Sequence, residues 1–198
     1  MEKWKTDKII QDIELKGWSY QQDFVDSHTL ESLTDLFSQG FSPARVGKNQ
    51  LLQRQEGIRG DWVYWIDPLD PPSSLKFAMD FLNHLKEGLN QAFFFGLRDF
   101  ECHLAKYPPG TFYKKHLDRF EQDSSRGFTF IFYLHSDWTE ADGGELVLYH
   151  KDGRILETII PRPGSFMCFL PGEFPHEVRI SHKERWSLTG WIHTKNLY

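Results

Sequence analysis

Seven short apolar stretches, separated by glycine, proline and polar turns, divide the second half of this chain. They restrict its fold more than any other feature. They lie at 101–107, 128–134, 145–149, 155–160, 165–170, 176–180 and 185–193. Each has the length of a strand rather than of a self-supporting helix, and this spacing fits an antiparallel sandwich or barrel. Ahead of them, Leu75, Ala78, Phe81, Leu82, Leu85 and Leu89 recur at helical spacing after Ser73. One long amphipathic helix, ending near Phe95-Gly96, is therefore expected to cover a face of the sheet. The first forty residues read as helical: Ile9, Ile10, Ile13 and Leu15 precede Gly17, and Leu30, Leu33, Leu36 and Phe37 follow the caps Asp26 and Ser27. Residues 41–55 read as loop or irregular strand, and Trp62-Val63-Tyr64-Trp65-Ile66 as a strand ended by Asp67-Pro68. The expected class is mainly β, with supporting helices on one side.

A length of 198 residues suits a single domain, 1–198, in which 1–97 supply mainly helical support and 98–198 the β core. At 39% hydrophobic and 16% aromatic, the chain is too apolar to be disordered. Its net charge is -5, and Lys114-Lys115 is the strongest basic cluster, so the broad basic face of a nucleic-acid binder is missing. The polar, charged N-terminal segment lacks the apolar run of a secretory signal, and no run approaches eighteen apolar residues. A cytoplasmic location is expected, with Cys102 and Cys168 as buried free thiols. A monomer is the default, with a dimer as the alternative.

The candidate chemistry sits in His116-Leu117-Asp118, followed by His176 and Arg185. In a strand, residues two apart share a side, so His116 and Asp118 can converge on one metal while Leu117 packs behind them. His176 follows the turn-rich Pro171-Gly172-Glu173-Phe174-Pro175. Two imidazoles and one carboxylate suit iron(II) in octahedral geometry, leaving three positions for a bidentate keto acid and oxygen. Zinc is chemically open to the same ligands. Arg185 offers a rigid fork for the far carboxylate of such an acid, Thr189 extends from the same side of its strand, and Tyr133 offers a phenolic donor.

The stretch Tyr107-Pro108-Pro109-Gly110-Thr111-Phe112-Tyr113-Lys114-Lys115-His116-Leu117-Asp118 resembles the metal-binding segment of the 2-oxoglutarate- and iron-dependent prolyl hydroxylases. Arg126-Gly127-Phe128-Thr129-Phe130-Ile131-Phe132-Tyr133-Leu134 with Trp138, Asp142-Gly143-Gly144-Glu145-Leu146, His176-Glu177-Val178 and Arg185 through Trp191 continue the pattern. Ile58-Arg59-Gly60-Asp61 with Trp65 resembles a signature of the hypoxia-sensing branch and its small bacterial relatives, and the likeness covers roughly residues 40–193.

The resemblance implies a double-stranded β-helix (a cupin-like jelly roll). It implies Fe(II) held by His116, Asp118 and His176, which are then the catalytic residues. The cosubstrates are 2-oxoglutarate and O2, with ascorbate as an additional candidate. By the same resemblance Arg185 and Tyr133 bind the distal carboxylate, Thr189 and Leu146 line its pocket, and Tyr107 and Tyr113 lie near the site. Tyr107 stands one residue closer to the first ligand than in the animal sensors. Arg126, Trp191 and Tyr113 are the substrate-contact candidates. The implied activity is hydroxylation of a prolyl residue in a protein substrate, releasing succinate and carbon dioxide. Hydroxylation of a free amino acid or other small molecule, and non-catalytic binding of metal or 2-oxoglutarate, are the alternatives. Arg59 and Asp61 are expected to pair and fix the loop before Trp65.

Overall fold

The structure, a computed structural model, describes residues 3–38, 40–45, 57–118 and 125–195, with the side chains of 3 and 4 excepted. Helix α1 (Lys3–Lys16) leads into β1 (Trp18–Gln21), α2 (Ser27–Ser32) and a 3-10 turn (Thr34–Ser38). Strands β2 (Ser42–Pro43) and β3 (Trp62–Ile66) precede the long helix α3 (Lys76–Phe93). The remaining strands are β4 (Phe100–Tyr107), β5 (Tyr113–His116), β6 (Arg126–Tyr133), β7 (Leu146–Tyr149), β8 (Ile155–Ile159), β9 (Phe166–Phe169), β10 (His176–Val178) and β11 (Arg185–His193).

These strands form two antiparallel sheets, ordered β1-β9-β6-β11-β4-β3-β2 and β5-β10-β7-β8. From β4 onward the chain passes back and forth between them, which is the connectivity of a jelly roll. Both faces of the larger sheet are covered. On one face α1 and α3 pack Ile9, Phe81, Leu82, Leu85 and Leu89 against Phe130, Phe132, Phe166, Leu188 and Ile192. On the other, Ala105, Tyr107, Ile131, Tyr133 and Phe169 meet Leu146, Leu148 and Val178 of the smaller sheet. Burial on both sides explains why consecutive residues of β6 and β9 are buried and mostly apolar instead of alternating.

Three sequence expectations change. Residues 18–21 are a strand, not helix: Gly17 adopts φ 78, and Asp12 of α1 accepts hydrogen bonds from Ser19 Oγ (2.8 Å) and Gln21 Nε2 (3.0 Å), docking β1 beside the helix. Helix α3 stops two residues early because Phe94 takes the left-handed conformation, while the Asn90 side chain accepts from Leu97 N and donates to Leu97 O, both at 2.8 Å. Within 41–55, Ser42–Pro43 is a short strand and residues 46–55 lie outside the described residues. The Asp26 cap forms as expected, accepting from Thr29 N at 2.8 Å. Cys102 and Cys168 are free and buried, set apart by the two strands β6 and β11.

Gly190 marks the tightest approach in the larger sheet. A Cβ there would collide with the Glu101 carbonyl oxygen and come within 2.6 Å of the Phe130 ring. Gly190→Ala should therefore cost about 2–3 kcal/mol through overpacking. Urea unfolding checks this, and an unchanged midpoint would refute the close fit.

Candidate metal centre

The antiparallel register of β5 and β10 places His176 directly opposite His116. Asp118 completes the group, and the three candidate ligand atoms lie within 4.8 Å of one another. His116 Nε2 stands 3.4 Å from Asp118 Oδ1, and His176 Nε2 3.5 Å from Oδ2. Each histidine uses its other nitrogen on the main chain: His116 Nδ1 donates to the Lys114 carbonyl (2.8 Å) and His176 Nδ1 to that of Phe174 (3.0 Å). A carbonyl can only accept, so the proton sits on Nδ1 and each Nε2 presents a lone pair to the centre.

Asp118 is not in a strand, contrary to the sequence expectation. β5 ends at His116, and a bend at Asp118 turns the carboxylate inward. Leu117 consequently does not pack behind the ligands; it is 43% exposed. Burial alone would raise the Asp118 carboxyl, but His176 and His116, whenever they take up a proton on Nε2, and Arg126 outweigh it and hold the group well below the usual carboxylate range. Burial pushes His176 down to about 4, keeping it a neutral ligand. Thr129 Oγ1 donates to Asp118 Oδ2 at 2.8 Å.

A stacked column braces His116. The Tyr113 ring lies 3.7 Å from the imidazole, nearly parallel, and the Arg59 guanidinium lies 4.4 Å from the Tyr113 ring. Arg59 makes a two-pronged contact with buried Asp61, Nε to Oδ1 at 2.7 Å and Nη2 to Oδ2 at 2.5 Å. Gly60 between them is required by space, since a Cβ would come within 2.7 Å of the Thr111 side chain.

On the same side of the larger sheet, Arg185 is 2% exposed, opposite Tyr107 on β4. Its guanidinium lies 5.0 Å from the ring centroids of both Tyr107 and Tyr133. Among the described residues no carboxylate pairs with Arg185, and Arg185 Nε and the Tyr133 hydroxyl lack hydrogen-bond partners. Burial raises the Tyr133 phenol to about 12 against the pull of Arg185, so it stays a donor. A buried, unpaired cation beside an unused donor is costly unless an anion completes it. The donor set thus fits a carboxylate. Thr189 extends from the face of β11 that carries Arg185 and lies opposite Ile131. Leu146, fully buried, lies two positions from Leu148, the partner of His176.

Further along this face, Trp191 lies opposite Thr129 and Glu101, and the Arg126 guanidinium sits 3.5 Å from its ring centroid. His103 packs between Trp191 (5.8 Å) and the half-exposed Trp65 (4.8 Å). Thr129, His103, Glu101 and His193 were not singled out by sequence. Their places follow from strand register, which no local motif encodes.

The family model described as the 2OG-Fe(II) oxygenase superfamily matches residues 102–193. A prolyl-4-hydroxylase from Pseudomonas putida of known structure is 36% identical, with TM-score 0.84, covering 96% of this chain and 100% of that one. A prolyl hydroxylase from Trichoplax adhaerens, solved with a hypoxia-inducible-factor oxygen-degradation-domain peptide, shares the fold at TM-score 0.85 and 23% identity, covering 98% and 94% of the two chains. The prolyl 3-hydroxylase OGFOD1 of Xenopus laevis is 39% identical over 77 residues, which are 34% of this chain and 15% of that protein. The corresponding match to the prolyl 3,4-dihydroxylase of Ostreococcus tauri spans 16% of that protein.

Proposed function

This chain belongs to the 2OG-Fe(II) oxygenase superfamily, and we propose that it hydroxylates a prolyl residue in a protein or peptide substrate. The cofactors are iron(II), 2-oxoglutarate and oxygen. In this reading the 198 residues act as one catalytic unit. The carrying observation is the pairing of a His116–Asp118–His176 centre with a buried Arg185 that no protein carboxylate neutralises.

His116, Asp118 and His176 would hold the iron, and Arg185 with Tyr133 would take the distal carboxylate of 2-oxoglutarate through charge-assisted hydrogen bonds. Thr189 and Leu146 would border the same acid. When bound, iron and 2-oxoglutarate supply an oxidant strong enough to hydroxylate a carbon–hydrogen bond, with succinate and carbon dioxide as coproducts. The protein's part is alignment and exclusion of water. Tyr113, Trp191 and Arg126 would border the substrate, where flat aromatic faces suit a proline ring. The 36% identical Pseudomonas prolyl-4-hydroxylase, matched over its whole length, supports a prolyl target.

The test is mass spectrometry after reaction with iron(II), 2-oxoglutarate, ascorbate and a cognate cell extract. A gain of one oxygen on a defined proline, matched by succinate, is expected. Oxygen gained only by a free amino acid or metabolite would overturn the prolyl assignment. Among the described residues no helix is long and apolar enough to cross a membrane.

A further inference from the structure

Arg126 is held in part by Glu101, which lies outside the sequence motifs. Strict alternation back from Thr129 would point Gly127 toward the metal side and Arg126 toward the helices. The register between β6 and β11 instead jumps from Ile192↔Phe128 to His193↔Arg126. One residue is skipped, and such a bulge re-aims the side chain beyond it. Arg126 returns to the metal side and, among the described residues, reaches three groups there. Nη1 donates to the Asp118 carbonyl at 2.9 Å, Nη2 to Glu101 Oε1 at 3.3 Å, and the guanidinium covers Trp191. His193, 4% exposed, donates through Nε2 to the same Glu101 oxygen at 3.1 Å, and its Nδ1 stands 3.2 Å from Ser125 Oγ.

We propose that Glu101 and His193 are positioning residues: together they fix Arg126, which sets the main chain of the metal ligand Asp118 and the indole face of Trp191 in one geometry. This deepens the prolyl hydroxylation reading and rests on it. Asp118 lies beyond the end of β5, so its carbonyl is outside the strand ladder and Arg126 supplies the hold that a neighbouring strand would give. With Thr129 on the carboxylate, main-chain and side-chain atoms of this ligand are both anchored. The fork geometry matters, because one planar group must serve Asp118, Glu101 and Trp191 together. A small loosening of Asp118 would displace the metal, and a displaced Trp191 would misalign the substrate.

The test measures manganese(II) binding to the full chain by electron paramagnetic resonance, without 2-oxoglutarate or substrate, beside thermal melts. Glu101→Ala should weaken manganese binding about tenfold or more, as loss of a ligand-orienting partner does. Glu101→Gln, which keeps an acceptor for Arg126, should restore affinity to within about threefold of the parent, while Arg126→Lys should not. His193→Phe fills the same space without the hydrogen bond and should weaken binding about threefold; it carries the test if Glu101→Ala fails to fold. With 2-oxoglutarate and substrate, Glu101→Ala and His193→Phe should also consume more 2-oxoglutarate per hydroxylation. Manganese affinity in folded Glu101→Ala or His193→Phe within about twofold of the parent would overturn the proposal. If the parent binds manganese but hydroxylates no proline, the prolyl reading fails while the metal titration still decides this one.

Discussion

Asp118→Ala is expected to abolish iron(II) binding and turnover while leaving the metal-free protein folded. Asp118 is the one anionic member of the cluster and its oxygens face both histidine Nε2 atoms. Without it, two neutral imidazoles remain, and they hold a hard divalent cation poorly. Turnover should fall by well over the roughly hundredfold seen when only a ligand's partner is lost. The metal-free protein should tolerate the change for a definite reason. Thr129 loses a charge-assisted hydrogen bond, a cost of about 1.5–3 kcal/mol, offset only in part because a buried carboxylate no longer has to be desolvated. Metal-free stability should therefore fall by about 1–3 kcal/mol, a loss that a folded domain tolerates. Iron or manganese should then separate the two proteins. At one hundred times its dissociation constant the metal stabilises the parent by about 2.7 kcal/mol and the variant by essentially nothing. Melting curves with and without manganese check this; a metal-induced shift retained in Asp118→Ala would remove Asp118 from the ligand set.

The fold was legible where burial repeats with a period, and the site where motifs are local. The apolar runs of β6, β9 and β11 survive as strands because both faces of their sheet are covered. The β1 strand was hidden because Trp18-Ser19-Tyr20-Gln21 has the alternation of a strand too short to stand against the preceding helical series; only its docking on Asp12 and β9 makes it one. His116 and Asp118 were found for a reason that proved half right. Two-residue spacing suggested a shared strand face, whereas the structure brings them together through a bend just past the strand. The expected Arg59–Asp61 pair is present, since it lies within three consecutive residues. Glu101, His103 and His193 escaped notice because Glu101 meets Trp191 only through the β4–β11 register, and His193 meets Arg126 only through the bulge. Pairings between residues this far apart in the chain leave no mark on a local window.

Arg185→Leu should move stability and cosubstrate binding in opposite directions. Arg185 is almost wholly enclosed and, among the described residues, faces no carboxylate, so the ligand-free protein bears the desolvation of a lone cation. Leucine fits an apolar surround of Tyr107 and Tyr133 rings and removes that charge, and replacing buried ionic groups by packed apolar ones is often stabilising by about 1–4 kcal/mol. The ligand-free variant should therefore melt at or above the parent. Binding of 2-oxoglutarate should collapse. In the proposed role, the lost fork would have supplied two charge-assisted hydrogen bonds of about 1.5–3 kcal/mol each, which corresponds to roughly a hundredfold to ten-thousandfold in affinity. Arg185→Lys separates charge from geometry: it keeps the cation but cannot present two parallel donors, so binding should weaken while ligand-free stability stays near the parent. Calorimetric titration of 2-oxoglutarate into the manganese-loaded proteins, beside urea unfolding without ligand, measures both arms. A lower ligand-free stability in Arg185→Leu, with unchanged 2-oxoglutarate affinity, would mean that Arg185 serves the core. The opposite pair of signs is what a residue kept for its ligand at the expense of the fold must show.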